Sequence, residues 1–144
     1  MRNGKAAAKE QVKREIEREE AISGRDAALL AAAAALEKKA EEPALIDLEG
    51  RSGIADFFLL LSGNNEKQVL AIADAVTARL KARGVGILGI EGGDTAQWIL
   101  IDAGDVVVHV FSAEARLFYD IDGLWSDARR VSIPSGPEAI IEGA

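Results

Sequence analysis

Apolar and polar residues divide the chain into segments of different period. Between Lys5 and Glu20 the only apolar residues larger than alanine are Val12 and Ile16, set among charges at helical spacing such as Glu10 with Arg14 and Lys13 with Glu17. Two residues do not make a core-facing stripe, so residues 1–23 read as a charged, solvated helical extension. Ser23 or Asp26 can cap a helix that runs through the alanines and leucines of residues 27–36 and ends before Pro43. Beyond it the period shortens. Residues 44–48 read as a strand, Glu49-Gly50-Arg51-Ser52-Gly53 as a turn, and residues 55–61 as a nearly all-apolar strand that must be covered on both faces. Gly63-Asn64-Asn65 breaks it and offers an N-cap to a helix over residues 66–83. That helix puts Val69, Ile72, Ala73, Val76 and Leu80 on one face and stops at Gly84. A strand over residues 85–90 then completes a βαβ unit.

Two consecutive strands follow the Gly92-Gly93-Asp94 loop, over residues 97–102 and 105–111. A two-residue hairpin at Ala103-Gly104 sets Asp102 opposite Asp105, Leu100 opposite Val107 and Trp98 opposite His109, so that Trp98 and His109 share a face. Ser112 can cap a helix through Glu114 and Arg116, residues 120–126 form a short helical turn, and Pro134, Gly136 and Pro137 close the ordered body. The expected architecture is an α/β (α+β) domain over residues 24–130, a mixed sheet of about five strands flanked by helices, with a flexible tail over residues 131–144.

Composition narrows the chemistry. The chain has 144 residues and no cysteine, which excludes disulfides, zinc ribbons, iron–sulfur ligation and cysteine nucleophiles. Its single histidine, His109, excludes histidine-rich metal sites. No apolar run approaches the roughly 20 residues that span a bilayer, and no signal-like apolar stretch follows the N-terminal charges, so a cytoplasmic address is expected. Residues 1–25 hold seven basic and five acidic side chains, residues 26–144 ten basic and nineteen acidic. An acidic body argues against nucleic acid as its main ligand and suits a basic protein partner.

Three features compete as sites. Gly63-Asn64-Asn65 could cradle an anion at a helix start but lacks the lysine and hydroxyl residue of a phosphate loop. Asp120 and Asp122 could hold a metal for nucleotidyl transfer, or could simply favour a helix N-terminus. His109 has an aromatic neighbour and no nucleophile to activate, so its expected use is structural. Large aromatics gather late in the chain. Trp98 and Tyr119 are either binding anchors or core, whereas Phe118 and Trp125 are assigned to core packing.

The runs IADFFLLLSG, QVLAIAD, IEG, QWILIDAGDVVVHVF and EARLFYDIDGLW stand in the order and spacing of the ribosomal silencing factor, or Iojap-like, family, and the resemblance covers roughly residues 24–129. It implies a fold similar to nucleotidyltransferases without transferase activity, and no catalytic residue, cofactor or metal. It also implies binding to the large ribosomal subunit through the large-subunit protein numbered fourteen. That contact would block joining of the small subunit when nutrients are scarce. Apart from the resemblance, the acidic body leaves little direct nucleic-acid contact, the short apolar runs give no membrane contact, and partner-binding aromatics left exposed favour a reversible homodimer when the protein is free. The implied partner contacts are Trp98 and Tyr119, with Asp102 and Ala103 at the hairpin tip and Arg116 nearby. Ala103 is smaller than the leucine or aromatic usual at the tip, and Gly63-Asn64-Asn65 departs from the usual Gly-Thr-Ser. The alternative is a nucleotidyltransferase-like enzyme using Asp120 and Asp122.

Overall fold

The structure, a computed structural model, describes residues 2–134. Its elements are α1 (Arg2–Glu20), α2 (Gly24–Glu37), β1 (Glu41–Asp47), β2 (Phe57–Gly63), α3 (Glu66–Ala82), β3 (Gly89–Glu91), β4 (Trp98–Asp102), β5 (Val106–Ser112), α4 (Ala113–Tyr119), α5 (Ile121–Leu124) and β6 (Arg129–Val131). The strands make one mixed sheet in the order β3-β4-β5-β2-β1-β6, in which β2 and β5 run parallel and every other pair is antiparallel.

The central pair explains the all-apolar runs of the sequence. β2 and β5 lie inside the sheet, and each face of the pair is covered. On one face α2 and α3 pack over Leu45, Leu59, Leu61, Ile99, Ile101, Val108 and Val110. Helix α2 presents Ala28, Ala31, Ala32, Ala34 and Ala35, all fully buried, and small side chains let its backbone lie close to the strands. Ser23 caps it by accepting from the amide of Asp26 at 3.1 Å. The other face buries Ile46, Leu48, Phe58, Leu60, Val107 and Phe111 with Ala115 of α4 and Ala128.

Several sequence expectations shift. The sheet has six strands, because Arg129–Val131 pairs with Leu45, Ile46 and Asp47, and a three-residue strand has no period to read. Val131 and Ile133 pack against the core, so the body extends past residue 130; the remainder of the expected tail, from residue 135, lies outside the described residues. Of the segment 85–90 only Gly89 and Ile90 enter the sheet, joined by Glu91 in β3, with Val85 and Ile87 partly buried ahead of that strand. It runs parallel to β2 but is separated from it by β5 and β4, so the expected βαβ unit is a crossover that leaves room for the β4–β5 hairpin. Gly63 ends β2 rather than breaking it. A Cβ there would stand 2.9 Å from a Val69 methyl and 3.1 Å from the Val69 amide, so the glycine lets α3 start against the strand.

The hairpin register is two residues from the one expected. Trp98 lies opposite Phe111, Leu100 opposite His109 and Asp102 opposite Val107, and Gly104 turns the chain at φ 82°. Asp102 accepts from the Gly104 amide and the Ala103 amide donates to the Val106 carbonyl, both at 2.9 Å, so the two-residue turn falls at Gly104-Asp105, one residue later than expected. An even shift leaves every side chain on its expected face.

Candidate functional site

Helices α4 and α5 are too short to cover the whole second face. Ser112 caps α4 by accepting from the Ala115 amide, and Asp120, in the left-handed region at φ 47°, ends it after seven residues. One side of that helix buries Ala115 and Arg116; the other carries Leu117 and Phe118, 83% and 81% exposed, with Tyr119 half exposed and Leu124 of α5 also outside. On the sheet beneath, Trp98 and Leu100 of β4 remain partly exposed. The rings of Trp98 and Tyr119 are 4.7 Å apart, and those of Tyr119 and Phe118 5.0 Å. A continuous apolar band therefore runs from β4 onto α4. Carboxylates bound it on the sheet side, since Glu91 is paired opposite Leu100 and Asp102 ends the same strand face.

His109 lies under this band. It is 4% exposed, enclosed by the rings of Phe58 at 4.6 Å, Trp98 at 5.9 Å and Phe111 at 5.9 Å. Its Nδ1 accepts a hydrogen bond from the Trp98 indole N–H at 3.1 Å, a diagonal contact across β4 and β5. Burial lowers its pKa from 6.5 to about 4, because a charged imidazolium would be desolvated among rings. At neutral pH it is therefore an uncharged acceptor that orients Trp98, with no nucleophile hydrogen-bonded to it. The structural role read from the sequence is the one its surroundings support.

Arg116 is not on the surface. Its guanidinium is buried, donates to both carboxylate oxygens of Asp122 at 2.9 and 3.1 Å, to Ser62 Oγ at 3.0 Å and to the Glu42 carbonyl at 2.5 Å. These bonds tie α4 and α5 to β1 and β2. Arg116, expected as a partner contact, is an internal clasp in this structure, with four of its five N–H groups donated inside the fold. Glu42, at φ 47° beside a bulge next to Pro43, turns its carbonyl to this arginine.

The two aspartates of the enzyme reading are committed in the same region. Asp122 has its carboxyl pulled below the usual range, first by the Arg116 hydrogen bonds and then by the arginine's charge. Asp120 accepts from the Gly123 amide and caps α5. Among the described residues no group of three or more metal-capable side chains assembles. The Gly63-Asn64-Asn65 turn is equally occupied: Asn65 accepts from the Gln68 amide, while the Asn64 amide donates to the Gln68 side chain. Those amides cap α3 and do not point at a ligand.

Trp98, Asp102 and Tyr119 thus come together on one face, whereas Ala103 at the hairpin packs toward the α2/α3 core and Arg116 turns inward. Phe118, expected in the core, is almost wholly outside, and Leu117, Leu100 and Leu124, to which the sequence reading gave no role, are exposed or partly exposed beside it. A signal for them exists: three consecutive large apolar residues on a helix span about 200°, so one short helix cannot turn them all inward. Trp125 is partly buried against Phe58, with the Arg51 guanidinium 5.5 Å above its ring, as a packing residue should be.

Residues 20–142 match the family described as ribosomal silencing factor during starvation. A ribosomal silencing factor of Bacillus subtilis is 43% identical over 107 residues, which are 74% of this chain and 91% of the relative. One from Halalkalibacterium halodurans is 44% identical, covering 78% of this chain and 96% of the relative. The chloroplast protein Iojap of Zea mays is 31% identical over 54% of this chain and 34% of its own length. Among solved structures, a crystal structure of a Chromobacterium violaceum protein superimposes with a TM-score of 0.71 at 33% identity, covering 80% of this chain and 95% of that one.

Proposed function

The chain belongs to the ribosomal silencing factor family, and from that premise we propose that it binds the large ribosomal subunit and keeps the small subunit from joining it. The proposed contact is the large-subunit protein numbered fourteen, the site of action the cytoplasm, and the occasion nutrient shortage. The observation that carries the reading is the apolar band of Trp98, Leu100, Leu117, Phe118 and Tyr119, bounded by Glu91 and Asp102 on the uncovered part of the sheet. Exposed apolar surface rimmed by charge is the composition of a protein-docking face. The acidic rim suits a basic ribosomal protein. Free in solution, the same band would be shielded by reversible pairing of two copies.

The role is regulatory, and no residue is assigned to catalysis. The nucleotidyltransferase reading would need Asp120 and Asp122 free to hold a metal, but one caps α5 and the other holds Arg116. Two measurements test the proposal: co-sedimentation with isolated large subunits, and a gradient assay of subunit joining with the protein added first. Wild type should pellet with the large subunit and reduce the joined fraction, and Tyr119→Ala should weaken both together. Free passage of small subunits in the presence of saturating protein would overturn it.

A further inference from the structure

Helix α1 precedes the region matched to the family, which starts at residue 20, and the Bacillus subtilis relative is covered over 91% of its length by 107 residues of this chain. The helix is therefore additional to what the docking face needs. Its charge is not evenly mixed. Residues 2–14 hold five basic side chains and one acidic, whereas residues 15–20 hold four acidic and one basic.

This order runs against the helix's own electrostatics. A helix is stabilised by acidic residues in its first turn and basic ones in its last, yet α1 has no acidic residue in its first turn and gathers its positive charge toward that end. The helix does not gain stability from that placement; it gains a concentrated positive potential at one end. Lys5, Lys9 and Lys13 are all exposed, and at four-residue intervals they fall within an arc of about 80° on one side. Glu10 and Arg14 lie off that arc. The rest of the chain is of opposite sign, with nineteen acidic side chains against ten basic over residues 26–144. A body of that charge is repelled by ribosomal RNA even while its apolar band suits a ribosomal protein.

We infer that α1 is an RNA-backbone anchor: Lys5, Lys9 and Lys13 contact phosphates of a structured RNA without reading its sequence, offsetting the repulsion between an acidic body and a polyanionic surface. The inference rests on the ribosome-binding reading for its biological setting, though not for its test. A phosphate-bearing membrane is the other polyanion such a stripe could meet. It is disfavoured because the helix offers only Val12 and Ile16 as large apolar residues, too few for an interfacial helix.

The full chain is titrated into a short labelled RNA duplex and followed by anisotropy over a range of salt concentrations. The wild type should bind, and the triple variant Lys5→Gln/Lys9→Gln/Lys13→Gln should bind at least about tenfold more weakly at low salt. Its slope of log affinity against log salt should be shallower by about 2 to 3, close to one unit for each phosphate that is no longer neutralised. Glutamine and lysine have similar helix propensity, so the helix is retained, and the triple arginine variant should restore binding. Equal affinity of wild type and glutamine variant, or binding to anionic phosphatidylserine vesicles with none to the duplex, overturns the inference. Co-sedimentation with large subunits is run alongside. Loss of pelleting by every form, with duplex binding intact, refutes the ribosome reading and leaves the RNA anchor standing.

Discussion

The indole N–H of Trp98 donates to Nδ1 of His109 at 3.1 Å, linking a partly exposed ring of the candidate docking face to a buried imidazole two positions off its cross-strand partner. The bond fixes the proton of the neutral ring on Nε2 and holds the indole in one orientation. His109→Leu removes the acceptor and should cost about 1 to 3 kcal/mol of stability, the penalty of a stranded donor. His109→Asn places an amide oxygen where Nδ1 stood and should be the milder in a thermal melt at neutral pH. Equal melting of the two would show that the bond is not what His109 contributes.

Acid should destabilise the fold in two stages. His109 has a folded pKa of about 4 against 6.5 unfolded, so between those values the unfolded chain binds the extra proton and stability falls as pH falls. The loss should reach about 2 kcal/mol near pH 5, with no His109 contribution to pH dependence above about pH 7. Asp122 has its pKa lowered by Arg116, so its contribution is present above the unfolded value and disappears as pH falls through the folded one. Urea unfolding of wild type and His109→Asn from pH 7 to pH 3 separates the stages: the variant should lose the upper limb and keep the lower.

Arg116→Met should lower stability by about 3 kcal/mol, since it strands the Asp122 carboxylate and the Glu42 carbonyl together. Arg116→Lys should recover little, because a single ammonium cannot span both carboxylate oxygens. Folded Arg116→Met, assayed below its melting range, should pellet with large subunits as wild type does. Normal melting without pelleting would return Arg116 to the docking face.

Where packing is periodic, the sequence is readable. The face of α3, the alanine face of α2 and the double burial of β2 all follow from which residues recur at which spacing. The features that escape it have no period to carry them. The Asp102–Gly104 bond sets the hairpin register, β6 is three residues long, and Arg116 is drawn inside by Ser62 and Glu42, 54 and 74 positions away, as well as by Asp122 nearby. The docking face is half legible: Trp98 and Tyr119 stand out as aromatics, whereas Phe118 defies its composition, because a large aromatic ordinarily packs inward and a seven-residue helix has no room to turn it there.

Exposure and packing sort the late aromatics into three groups. Phe118 and Tyr119 stand 81% and 50% exposed, so truncating either should leave the melt within about 0.5 kcal/mol of wild type. If they anchor a partner, Phe118→Ala and Tyr119→Ala should each weaken binding by about 2 kcal/mol, roughly thirtyfold. Trp125 packs against Phe58 with its ring under Arg51, so Trp125→Ala should destabilise by about 3 kcal/mol and leave the affinity of the folded fraction unchanged. Trp98 belongs to both sets, because one edge meets Tyr119 while its body rests on Phe111 and its N–H on His109. Trp98→Ala should therefore lower the melt and the affinity together. Pairing each melt with large-subunit pelleting decides the matter: should Phe118→Ala and Tyr119→Ala pellet as well as wild type, the band from β4 to α4 is not the docking face.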